Sequence, residues 1–226
     1  MQMQVHLARW FSQRCAICAV NVAAPLVCAG CLEDLFSSRN RCLCCAIPLT
    51  GSASTCAACL RQQPHYDATI ALADYQAPVD GLVLALKFGH RLELAPVLGS
   101  LLAERARHLV PCPLLLAVPL AFERLAERGF NQSAEIARAV ARALRARFDP
   151  SILLRVRHAA AQASLSLAAR RRNIRDAFLV RGDLRGRRVA VVDDVMTSGS
   201  TLDEIARVLK AAGAVHVTNL VVARTP

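Results

Sequence analysis

Aromatic residues are scarce in this chain, 4% of 226, with a single tryptophan. That weighs against a surface that grips single-stranded nucleic acid mainly by stacking. Lysine is nearly missing: of 28 basic residues only Lys87 and Lys210 are lysines, and the rest are arginines. Acidic residues number 17 and leave a net charge of +11. Such a balance suits phosphorylated metabolites, nucleic acid or an acidic membrane face, and is also met in a merely solvated basic surface. No apolar run is long enough to span a bilayer, which takes about 20 residues. The uncharged stretch Ala16 to Leu32 is broken by Asn21, Pro25, Gly30 and three cysteines, and Val110 to Phe122 contains three prolines. Arg9, Trp10 and Arg14 stand where the apolar part of an export signal would have to be. The expectation is a cytoplasmic protein with no membrane span. The Walker pattern G-x-x-x-x-G-K-[ST] is absent, which excludes a P-loop.

Cysteine is plentiful. Ten are present, and nine lie between Cys15 and Cys59. Eight of these form four C-x-x-C pairs: Cys15/Cys18, Cys28/Cys31, Cys42/Cys45 and Cys56/Cys59. A C-x-x-C turn lets two thiolates converge on one ion, and two such turns complete a tetrahedral sulfur shell. Four pairs suffice for two structural zinc sites, consecutive or interleaved. A disulfide framework needs an oxidising compartment, for which no signal is seen. A redox role suits one such pair better than four evenly spaced ones. With four thiolates the metal keeps no open position, so zinc here is expected to hold structure rather than to catalyse. Few large apolar residues occur in this segment, so metal is expected to supply much of its folding free energy. Cys44 and Cys112 are left over.

Pro64, His65 and Tyr66 mark a boundary, giving a cysteine-rich module over residues 10–63 and a second domain over 66–226. Strand and helix patterns alternate after it. Residues 70–75, 114–120, 152–156, 187–192 and 215–222 read as strands. Residues 78–88, 94–108, 133–148 and 201–212 read as helices, the last ending at Gly213. Val189 to Val192 has no polar break, as expected for the centre of a parallel sheet. The fold class expected is therefore α/β, a mostly parallel sheet flanked by helices, with a small N-terminal zinc module.

The most informative stretch is Val191-Val192-Asp193-Asp194-Val195-Met196-Thr197-Ser198-Gly199-Ser200-Thr201. A buried strand ends in two acids, and a short polar loop leads into a helix. Ligands of open α/β sheets bind at the carboxyl ends of the strands. Successive backbone N–H groups at a helix N-terminus suit a phosphate, and Thr197, Ser198, Ser200 and Thr201 add hydroxyl donors. Gly199 admits close approach of the backbone. A plain capped helix start explains the serines but not the two acids. Carboxylates accept hydrogen bonds from sugar hydroxyls. Residues 196–201 are thus expected to hold the phosphate of a phosphorylated ribose, with Asp193 and Asp194 on its hydroxyls.

In this form the loop resembles that of the type I phosphoribosyltransferases. Three further blocks sharpen the likeness: Val118-Pro119-Leu120 with Arg124 and Arg128-Gly129-Phe130-Asn131-Gln132; the spaced set Gln162, Leu165, Ser166, Arg170, Asn173, Ala177 and Phe178; and Leu86-Lys87-Phe88-Gly89. Together with the cysteines, these resemble the competence protein F family (ComF, with the GntX group), from Cys15 to Arg224. One departure is Ala169, where the family commonly carries an acid.

The resemblance implies a type I phosphoribosyltransferase-like fold with an N-terminal double zinc ribbon. Its implied ligand is phosphoribosyl pyrophosphate with magnesium. It implies that Pro119 to Gln132 is the pyrophosphate loop, with Arg128 as its charged contact, and that residues 157–173 form a loop over the substrate. Arg170 and Lys87 are further candidates for the pyrophosphate. The functions it implies are transfer of phosphoribose to an unknown acceptor, or sensing of the metabolite, and a role in natural transformation, with single-stranded DNA and competence proteins as candidate partners.

Overall fold

A computed structural model describes residues 13–22, 26–37, 39–109, 113–156 and 174–226. Arg170, Asn173 and Cys112 fall outside the described residues, as do Gln162, Leu165 and Ser166. An antiparallel ribbon, β1 (Gln13–Arg14) and β2 (Asn21–Val22), is followed by helices α1 (Ala29–Phe36) and α2 (Ala57–Arg61). Next come β3 (Ala68–Asp74), α3 (Val79–Phe88), α4 (Leu94–Arg105), β4 (Leu114–Ala117), α5 (Phe122–Arg128) and α6 (Gln132–Leu144). A two-stranded antiparallel pair, β5 (Leu153–Arg155) and β6 (Phe178–Val180), precedes β7 (Arg188–Met196), α7 (Ser200–Ala211) and β8 (His216–Arg224).

Strands β3, β8, β7 and β4 lie side by side in that order and are all parallel. Their residues are apolar on both faces because both faces are covered. Leu115, Ala190, Val192, Leu220 and Val222 point into a core shared with α3, α4 and α6. Leu114, Leu116, Val189, Val191, Val217 and Val221 point into a second core, with α7 and β6. The alternation follows from the two-residue period of a strand. Helix α4 presses closely on α6 at Gly99, where a Cβ would stand 2.4 Å from the Ala139 methyl and 2.9 Å from the Ile136 carbonyl oxygen. The two edge strands are each covered. The Thr69 N–H donates to the Leu43 carbonyl beside β3, and residues 147–149 run along β4.

The cysteine-rich segment is docked on this body at both cores. Cys15, Val27 and Phe36 join the first, whereas Cys42, Cys45 and Ala46 join the second. Polar contacts add to this: Arg39 and Arg41 both pair with Asp74 at the end of β3, at 3.1 and 2.7 Å.

Element by element the sequence expectations differ mainly at the ends. The helix expected over 133–148 starts one residue earlier and stops at Leu144, because Arg145 takes a left-handed conformation. Its cap is Asn131, whose side chain accepts from the Ser133 and Ala134 N–H groups. The strand expected over 187–192 continues to Met196. Helix α5, within a segment read as loop, was not expected.

Candidate sugar-phosphate site

In a parallel sheet all carboxyl ends share one edge, and the candidate residues gather there. Because β7 continues to Met196, Asp193 and Asp194 belong to the strand and are fixed by its ladder with β8, with Asp193 opposite Val221. Asp194 is 4% exposed. Its Oδ1 lies 3.0 Å from the Lys87 ammonium, in the last turn of α3. Its Oδ2 is buried with no hydrogen-bond partner. Asp193 Oδ1 accepts from the Ser133 hydroxyl and from the Asp194 N–H, both at 2.9 Å. Burial pushes the Asp193 carboxyl up to about 7, and the charge of Asp194 adds to the rise; Ser133, the Asp194 N–H and Lys87 oppose it. The Asp193 carboxyl thus titrates near neutral pH, chiefly because it is buried.

The Arg128 to Gln132 block becomes intelligible as a helix-to-helix junction. Gly129 (φ 78°) terminates α5 in the left-handed region, where glycine is unstrained. Asn131 caps α6 and donates through Nδ2 to the Val118 carbonyl at 3.0 Å, tying the junction to the end of β4. Arg128 donates to the Gln132 side-chain carbonyl and lies over the Phe88 ring, 5.0 Å from its centroid. Burial lowers the Arg128 pKa, while Asp194 raises it, so the acid's field reaches the guanidinium. Lys87, Arg128, Asp193 and Asp194 are therefore brought together, whereas Arg170 lies outside the described residues. Ser133 was read from sequence only as a helix start; nothing in its neighbourhood signals a carboxylate partner.

Beyond Met196 the chain turns into α7. Gly199 has φ 77°, and a Cβ there would sit 2.6 Å from the Met196 methyl carbon and 3.1 Å from the Tyr66 hydroxyl. Ser198 and Ser200 hydroxyls are 2.9 Å apart. Thr197 and Ser198 are exposed, while the Met196 side chain is in the core. A hollow of about 40 Å³ is enclosed by Asp193 and residues 195–202. It opens on the N-terminus of a 12-residue helix, whose unpaired N–H groups and dipole favour an anion.

The eight paired cysteines fall into consecutive groups, Cys15/Cys18/Cys28/Cys31 and Cys42/Cys45/Cys56/Cys59, with ligand atoms within 4.8 Å of one another. A tetrahedral zinc–thiolate site has sulfur–sulfur edges of about 3.8 Å, given bonds of about 2.3 Å. Cys18 and Cys28 sulfurs are 3.6 Å apart, and those of Cys45 and Cys56 are 3.7 Å apart. The two groups share one pattern of support. Backbone N–H groups of Cys28 and Cys56 donate to the sulfurs of Cys15 and Cys42, at 3.4 and 3.3 Å. Burial raises the thiol pKa at Cys15 and Cys42, but such N–H donors outweigh it and bring them to about 6 and about 7. Both groups could hold zinc. Cys44 lies beside the second group, half-buried.

Among the described residues no helix is long and apolar enough to cross a membrane. Residues 130–226 match the family model described as phosphoribosyl transferase domain. The DNA utilization protein YhgH of Escherichia coli O6:H1 is 35% identical over 205 residues, covering 88% of this chain and 90% of that protein. Competence protein F of Haemophilus influenzae is 32% identical over 218 residues, covering 92% and 95%. Among solved structures, one titled as the allosteric regulatory enzyme of purine biosynthesis aligns with 56% of this chain and 25% of that one. Its identity is 26% and its TM-score 0.38, a likeness too loose to add to the assignment.

Proposed function

The chain belongs to the competence protein F family, and from that premise we propose that it binds phosphoribosyl pyrophosphate at the carboxyl edge of the sheet. The observation that carries the reading is the adjacency of the Asp193/Asp194 pair and the 196–201 loop on one strand end. The loop's N–H groups and hydroxyls take the 5′-phosphate, and the acids orient the ribose hydroxyls. Arg128 and Lys87 are the cations within reach of a pyrophosphate, with Arg170 as a further candidate.

The orphaned Asp194 Oδ2, with its neighbour Asp193, fits a hard cation that keeps most of its ligands from substrate and water. Magnesium bound there supplies charge neutralisation for a pyrophosphate leaving group. The chain's own residues do the rest. The loop fixes the far phosphate so that remote binding energy positions C1, and Arg128 stabilises charge developing on the departing oxygen. Zinc in each cysteine group is the structural complement of this reading, which divides the chain into a double zinc ribbon over 10–63 and a phosphoribosyltransferase-like domain over 66–226.

Incubation with phosphoribosyl pyrophosphate and magnesium tests for catalysis. Pyrophosphate release that needs both magnesium and Asp194 marks a transferase; tight binding with no release marks a sensor using the same pocket.

A role in handling incoming DNA follows from the relatives' names. One observation favours direct contact with single-stranded DNA. The few aromatics include Phe122, 75% exposed, and Phe88, 66% exposed with Arg128 over its ring. Binding of single-stranded DNA that weakens steeply with added salt supports it, because phosphate contacts release counterions. No binding at low salt removes it.

A further inference from the structure

Arg224 ends β8, is 8% exposed, and lies across two parts of the molecule that the sequence keeps far apart. Its Nε donates to the carbonyl of Cys45, a residue of the second cysteine group, at 2.9 Å. Its Nη1 donates to the carbonyls of Met196 and Thr197, at 3.3 and 2.5 Å. Those two residues open the loop that encloses the hollow. Tyr66, seven residues beyond Cys59, packs against the same loop at Gly199. The second cysteine group and the loop are thus joined by a guanidinium and a ring, while no such contact links the first group to the loop among the described residues.

Electrostatics make the bridge unusual. A buried guanidinium is costly unless a counter-charge lies near. Among the described residues Arg224 meets carbonyls and no carboxylate. A filled four-thiolate zinc site carries a net double negative charge. A phosphate in the loop would place a second anion on the opposite side. The fixed fork of the guanidinium holds both backbones in register, which a flexible ammonium does not do.

We propose that Arg224 is a positioning residue coupling the second cysteine group to the sugar-phosphate loop, so that metal in Cys42/Cys45/Cys56/Cys59 and phosphate in the loop each tighten the other. This rests on the reading of the loop given above. Linkage makes the effect reciprocal: whatever factor metal adds to ligand affinity, ligand adds to metal affinity.

The test uses the full zinc-loaded chain and follows zinc release to a zinc-selective chromogenic chelator, with and without saturating phosphoribosyl pyrophosphate and magnesium. Calorimetry on the same preparation checks that the ligand binds. One of the two zinc equivalents should leave at least about fivefold more slowly when ligand is present, the lower end of ordinary coupling. The other should leave at an unchanged rate and acts as the internal control. In Arg224→Gln the ligand effect on zinc release should vanish, and Arg224→Lys should restore it only in part. Ligand that binds the wild-type chain yet slows neither equivalent, or slows both alike, overturns the coupling and leaves the site reading standing. No ligand binding to the wild type overturns both. The wild-type comparison needs no variant, so a poorly folding Arg224→Gln does not spare the proposal.

Discussion

At the scale of single residues, Asp193 carries the clearest consequence. Its carboxyl titrates at 3.8 as a free group and is pushed up to about 7 in the fold. Between those values the folded chain holds a proton that the unfolded chain has lost. The contribution to stability is therefore full below about pH 4 and is lost as pH rises through 7. Asp193→Asn removes that loss. Its melting temperature relative to wild type should be higher at pH 8 than at pH 5, by roughly 2–4 °C for each kcal/mol relieved. An equal offset at both values would show that Asp193 ionises normally. Ser133→Ala takes away one donor to the same carboxylate. It should raise the Asp193 pKa further, read by carboxyl-carbon NMR titration, and leave the fold intact. Of these residues the two acids were legible in sequence, since adjacent acids at the end of an apolar run have no packing rationale. Ser133 and Arg224 were not, because each meets its partner across the sheet rather than along the chain.

Secondary-structure elements were legible where periodicity is strong. The all-apolar centre of β7 and the stripe of α6 were read correctly, and their ends were not. Strand β7 runs past its acids because their side chains find Ser133 and Lys87, and α6 stops where Arg145 turns left-handed. Helix α5 escaped notice because it has only seven residues, too few for the periodicity of Phe122, Leu125 and Ala126 to stand out. Two glycines decide packing at this scale. Gly199→Ala adds a Cβ at positive φ against Met196 and Tyr66. It should cost about 1–3 kcal/mol in chemical denaturation and weaken phosphoribosyl pyrophosphate binding at least about tenfold. Gly99→Val forces α4 off α6, where even one carbon meets Ala139 at 2.4 Å. It should lower stability by a similar about 1–3 kcal/mol but leave affinity within about twofold, since the residues met, Ala139, Ile136 and Val140, do not line the hollow. A large affinity loss in Gly99→Val would mean that the two cores are not independent of the site.

Across the whole molecule the cysteine groups and the α/β body are a single packed unit, because each group is built into one face of the sheet. Sequence spacing left consecutive and interleaved pairings open; the chain path chose the consecutive one, since each group closes within its own two turns. Zinc removal should accordingly loosen more than residues 13–61. Hydrogen exchange after chelation should speed up along β3, which is edged by Leu43 and anchored through Asp74 to Arg39 and Arg41, whereas exchange confined to the cysteine segment would contradict a shared core. The central claim concerns the carboxyl edge of the same sheet. Calorimetric titration of the zinc-loaded chain with phosphoribosyl pyrophosphate and magnesium, for wild type beside Asp193→Ala/Asp194→Ala, tests it most directly. Binding by the wild type and its loss in the double variant is the expected result; equal affinity in both would contradict a site made by the acid pair and its loop.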